Sequence, residues 1–115
     1  MAVIKNQTGG HVGTLDVANA TYTLANLAVP NTSIENVTGM GVARIKWTGD
    51  WVIKQGANVI FQCAANTVGD WDLQGQSMLL QGANTAANIT ANTTGTSSTL
   101  VMVLTKYAYN TLGVY

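Results

Sequence analysis

Five side chains could in principle carry chemistry: Asp50, Asp70 and Asp72, the single Cys63 and the single His11. Asp70 and Asp72 stand two residues apart, so a strand would place both carboxylates on one face. A pair of carboxylates at a defined separation is what glycoside hydrolysis requires, and three aspartates could begin a calcium site. Ca²⁺, however, takes six to eight oxygens, and no ligand-rich loop flanks these residues. Each of Asp50 and Asp70 follows a glycine, and Asp caps neighbouring backbone N–H groups in turns. A catalytic thiol would need a histidine base, and His11 lies in the Gly-punctuated segment "GGHVG". Cys63, within "NVIFQCAA", reads instead as a small buried hydrophobe. No phosphate-binding loop, nucleophile elbow or His/Cys metal spacing is present. The expectation is a protein without catalysis, cofactor or metal.

Trp47, Trp51 and Trp71 are the other candidates, since tryptophans stack on sugar rings. Trp47 shares strand parity with Ala43 and Ile45, which marks it as core. Trp51 and Trp71 each follow a Gly-Asp pair and are expected to open a strand and pack at the rim. The alternative is a carbohydrate- or receptor-binding surface built from Trp51, Trp71, Asp50 and Asp72. Two words recur here: Gly-Asp-Trp at 49–51 and 69–71, and Gln-Gly-Ala-Asn at 55–58 and 81–84. A duplicated site would keep its internal spacing. From Trp51 to Ala57 is six residues and from Trp71 to Ala83 is twelve, so the words read as sheet punctuation.

Composition narrows the class. The chain has 115 residues, 47% apolar and only 9% charged, with zero formal net charge; an ordinary charged share is about 25%. Five dispersed cations do not make the basic patch on which nucleic-acid affinity rests, so no nucleic-acid partner is expected. Little net charge favours association over mutual repulsion. No apolar run has the length of a membrane span or of a secretory leader's core. Synthesis in a cytoplasm, with no membrane partner, is the expectation. One cysteine excludes an intrachain disulfide.

The elements that would position these residues are short strands. "GVARIKWTG" alternates, Ala43, Ile45 and Trp47 on one face and Arg44, Lys46 and Thr48 on the other, as a half-buried strand does. "WVIK" and "NVIFQCA" flank a turn at Gly56-Ala57-Asn58, with Val59, Phe61 and Cys63 on one face. "WDLQGQSMLLQG" reads as two runs split at Gly75, and "ANITANTTG" as a polar strand. "STLVMVLTKYAY" puts Leu100, Met102 and Leu104 on one face and Val101, Val103, Tyr107 and Tyr109 on the other. A strand apolar on both faces is either central or covered by another subunit. Strands of this length with Gly/Asn turns between them define an all-β class, an antiparallel sandwich of jelly-roll-like form. Residues 1–37 read as an extended N-terminal arm with the first strand or strands. Residues 38–115 read as the sandwich core of a single domain.

The order "VARIKWTG", "GDWVIKQGANVIF", "GDWDLQGQSMLL", "AANITANTTG", "STLVMVLTK" resembles small virion proteins of tailed phages, marine and cyanobacterial ones in particular. Such proteins serve as head decoration or cement proteins. The resemblance covers roughly the C-terminal 65 residues. It implies a non-enzymatic β-sandwich on the outer surface of a capsid, partnered by the major capsid protein and by copies of itself as a dimer or trimer. The arm and the last strand then become the expected interface: Val3, Ile4, Lys5, His11, Val12, Val101, Val103, Tyr107 and Tyr109.

Overall fold

The computed structural model describes residues 3–6, 11–27, 35–72 and 86–110. In chain order these form β1 (Val3–Asn6), β2 (Val12–Asp16), β3 (Ala20–Tyr22), α1 (Leu24–Leu27), β4 (Glu35–Thr48), β5 (Trp51–Gln55), β6 (Asn58–Cys63), β7 (Val68–Asp72), β8 (Ile89–Asn92) and β9 (Thr99–Asn110). One sheet has the order β1-β2-β9-β4-β7 and the other β3-β8-β5-β6, with every pairing antiparallel. The two inner faces meet in one apolar core, so the fold is the all-β sandwich that the strand patterns predict.

β4 and β9 are the long central pair, matched from Glu35↔Asn110 to Thr48↔Thr99 with register shifts between Val37 and Gly39 and between Val42 and Arg44. Met40, Val42 and Ile45 from β4 and Leu100, Met102 and Leu104 from β9 are fully buried. They pack against Trp51, Ile53, Ile89 and Ala91 of the four-stranded sheet. Each fully buried aliphatic side chain of this kind contributes about 1.5–3 kcal/mol. Polar groups that enter this core are tied down: Gln55 Nε2 donates to the Met40 carbonyl at 2.7 Å, linking the sheets. Trp51 Nε1 donates to the carbonyls of Thr48 and Thr99, both at 3.1 Å.

Three local expectations change. The N-terminal region is not a free arm: β1 pairs with β2, and β2 pairs with β9 inside the five-stranded sheet. β3 and the one-turn α1 follow, the latter started by Thr23, whose N–H donates to Asn26 Oδ1, the return bond of a capping box, while its hydroxyl donates to the same oxygen. In β6, the register slips between Ile53↔Phe61 and Lys54↔Val59. Ile60 is the extra residue; it is buried beside Phe61, and Val59 turns outward. A bulge re-aims every side chain beyond it, which strict alternation could not anticipate. Finally, Gly69-Asp70 is no turn but lies within β7. Gly49, at a positive φ of 85°, does make a turn, as does Gly56 in the β5–β6 hairpin. The runs read across residues 73–85, including the second Gln-Gly-Ala-Asn word, lie outside the described residues.

Candidate functional site

The outer face of the five-stranded sheet brings together the groups best suited to meeting a partner. Register places Leu15 beside Val101 and Gly13 beside Val103 across β2 and β9, then Lys46 beside Val101 and Arg44 beside Val103 across β4. β7 continues the rows with Asp70 beside Lys46 and Asp72 beside Arg44. Crossing the sheet therefore leads from an apolar seam to a basic row to an acidic row. Leu15 is 40% exposed, and Val101 and Val103 are half-buried although they face outward. Tyr107, 42% exposed, extends the outward side of β9.

Leu15 was not legible as a surface residue. In "VGTLD" the inward positions are Val12, Thr14 and Asp16, two of them polar. Asp16 is buried because the Tyr22 hydroxyl donates to its Oδ2 at 2.6 Å, and Thr14 reaches the Met102 carbonyl at 3.5 Å. These internal partners let polar side chains take core positions, which sends the leucine out. The same register buries Val12 completely, so it cannot belong to an interface as expected.

The charged rows are partly self-satisfied. Arg44 donates to Asp70 through Nε at 3.1 Å and Nη2 at 2.7 Å, a two-pronged pairing. The hydrogen bonds from Arg44, with its charge and that of Lys46, hold the Asp70 carboxyl below the usual carboxylate range. The same bond to Asp70 raises the Arg44 guanidinium. A carboxylate held ionised on an open sheet face is poorly suited to act as a general acid.

The remaining sequence candidates scatter. Val3 and Ile4 are exposed on edge strand β1, Ile4 at 62%, and His11 is exposed just before β2. Lys5 stands opposite Gly13 and Tyr109 opposite Asn36 in the ladders; their side chains lie outside the described residues. The alternative sugar surface is not assembled. Trp51 is wholly buried, whereas Trp71 is 43% exposed at the sandwich edge, its ring 5.8 Å from that of Phe61.

Asp50 belongs to a different place, the loop end of the sandwich. Its Oδ1 accepts from Thr93 Oγ1 at 2.9 Å and Gly95 N at 3.1 Å; its Oδ2 accepts from Thr94 Oγ1 at 2.7 Å and Thr94 N at 3.1 Å. Bonds from the side chain and backbone of Thr94 lead in pulling this carboxyl well below its ordinary range. Four donors use most of a carboxylate's acceptor capacity, so Asp50 clamps the β8–β9 loop onto the β4–β5 turn. A polar hollow of about 450 Å³, lined by Thr48, Asn66, Thr67 and Ser98, lies beside it.

Among the described residues, no three or more His, Cys, Asp or Glu gather as metal ligands, and no helix is long and apolar enough to cross a membrane. Comparison with protein-family models, with curated proteins and with solved structures finds no match.

Proposed function

We propose that this chain is a non-enzymatic virion structural protein, a head decoration or cement protein. It docks in many copies on the outer surface of a phage capsid through the outer face of its five-stranded sheet. The observation that carries this reading is the seam of Leu15, Val101 and Val103, with the Arg44/Lys46 and Asp70/Asp72 rows beside it. Apolar side chains on an open sheet face gain stability when a partner removes them from water. Adjacent basic and acidic rows fix the register of that partner. The resemblance to tailed-phage decoration proteins supplies the partner's class, the major capsid protein. Near-zero net charge suits a lattice in which copies sit close together, and repetition over the lattice raises avidity.

The test mixes the purified chain with capsids assembled without it and heats them. Saturable binding and a higher rupture temperature are expected. Absence of both would sink the proposal.

A further inference from the structure

We propose that the loop end of the sandwich binds a neutral, hydroxyl-rich ligand, a sugar, in the hollow beside Asp50. The site is separate from the outer sheet face, so the inference does not depend on what that face binds.

Three connections meet at the hollow: the β4–β5 turn at Gly49, the β6–β7 connection at Asn66 and the β8–β9 connection at Thr96 and Ser97. Loops gathered at one end of a rigid scaffold are where binding groups are commonly carried. Its volume of about 450 Å³ falls within the usual span of small-ligand sites, about 300–1,000 Å³. A second hollow of about 490 Å³, lined in part by Val17 and Asn19, shares Gly95 and Thr96 with the first. The two adjoin along one loop, which gives room for more than one ring.

Part of the wall is fixed and part is unspent. Thr67 Oγ1 donates to the Ala64 carbonyl at 2.7 Å and accepts from Trp47 Nε1 at 3.1 Å. Thr48 Oγ1 and Thr99 Oγ1 stand 2.7 Å apart, and Ser98 Oγ lies 2.9 Å from Thr93 Oγ1. With the Asp50 clamp, these bonds set the shape of the hollow before any ligand arrives. Asn66, Thr96 and Ser97 are exposed, and among the described residues their side chains make no hydrogen bond. Asn66 also holds a φ of 63°, a left-handed conformation that residues other than glycine seldom adopt.

The chemistry of the wall selects the ligand. Asp50 is the only charged side chain in it, and its oxygens already accept four hydrogen bonds. The open groups are hydroxyls and a carboxamide, which both donate and accept and so suit a ligand whose own groups do both. Val68, 77% exposed in the same wall, offers an apolar contact to the C–H face of a ring. Hydroxyls set around such a face describe a saccharide.

The test titrates the isotope-labelled full chain with glucose, galactose, mannose and N-acetylglucosamine and follows amide shifts by NMR. Saturable shifts in the millimolar range, centred on Asn66, Thr67 and residues 96–98, are expected with at least one of them. Asn66→Gly keeps a backbone conformation that glycine adopts freely and removes the carboxamide. It should weaken that binding roughly fivefold, the worth of one neutral hydrogen bond. If Asn66→Gly does not fold, Thr96→Ala, at an exposed position, takes its place with the same expectation. No saturable shift with any of the four sugars overturns the proposal. So does binding indifferent to the folded variant, or binding confined to the charged sugars glucosamine and glucuronic acid run beside them.

Discussion

Gly69 stands opposite Trp47 in the β4–β7 ladder, and the indole of Trp47 covers it. A Cβ at position 69 would fall 2.5 Å from two carbons of that ring. The indole is also held from the other side, its Nε1 donating to Thr67 Oγ1 at 3.1 Å and its ring meeting Phe61 edge-on at 4.7 Å. Gly-Asp-Trp therefore does two unrelated jobs. At 49–51 the glycine supplies a left-handed turn, and at 69–71 it makes room for a ring.

Gly69→Ala should destabilise the fold by about 1–3 kcal/mol, the range for overpacking, because the ring would have to shift away from its contacts with Thr67 and Phe61. Urea unfolding measures it. A neutral outcome would mean that the Trp47 ring can move aside.

The other two tryptophans should differ sharply from each other. Trp51→Ala removes a wholly buried ring and its two hydrogen bonds and should cost about 3–5 kcal/mol. Trp71→Ala, half out of the sandwich with one aromatic neighbour, should cost about 1 kcal/mol. Equal losses in thermal or urea unfolding would contradict the assignment of Trp51 to the core and Trp71 to the edge.

Asp50 should make part of the stability pH-dependent. Its folded carboxyl is depressed below the unfolded value of about 3.9. The stabilisation it gives is therefore complete above that value and is lost as pH falls through the acid range toward the folded value. Asp50→Asn should lower stability at neutral pH and flatten the decline below about pH 4. A decline as steep in Asp50→Asn as in the parent chain would place the acid sensitivity elsewhere.

Arg44 sets the ionisation of Asp70. In Arg44→Gln, the Asp70 carboxyl should titrate closer to the ordinary value of about 3.9, followed by carboxyl carbon shifts in NMR. Stability should hardly change, since exposed ion pairs contribute little. An unmoved Asp70 midpoint would show that Arg44 is not its main partner.

How much of this was legible before any coordinates were known depended on whether a strand's two faces differ in chemistry. Residues 43–48 of β4 announce themselves because apolar and polar side chains alternate there, and in β9 Leu100, Met102 and Leu104 are buried while Val101, Val103 and Tyr107 are less so, as the alternation puts them. β2 misleads because Asp16 and Thr14 find partners inside, so the leucine between them goes outside. β6 misleads because one inserted residue, Ile60, reverses the face of Val59. The paired state of β1 was hidden for another reason. Its pairing with β2, and the contact of Asn6 with Lys106 across a sequence separation of 100 residues, are relations between distant segments that no local pattern records. The apolar second face of the last strand was visible, but its neighbours Leu15, Arg44 and Lys46 became visible only through the ladder.

The central claim is that the outer face of the five-stranded sheet is the docking face, and Leu15→Lys tests it most directly. At 40% exposure, the substitution should leave circular dichroism unchanged and unfolding stability within about 1 kcal/mol. The measurement is co-sedimentation of the folded chain with capsids assembled without it. The parent should pellet with the shells in many copies, and Leu15→Lys should stay in the supernatant. Folded Leu15→Lys that binds as well as the parent, or a parent that does not pellet at all, would contradict the account.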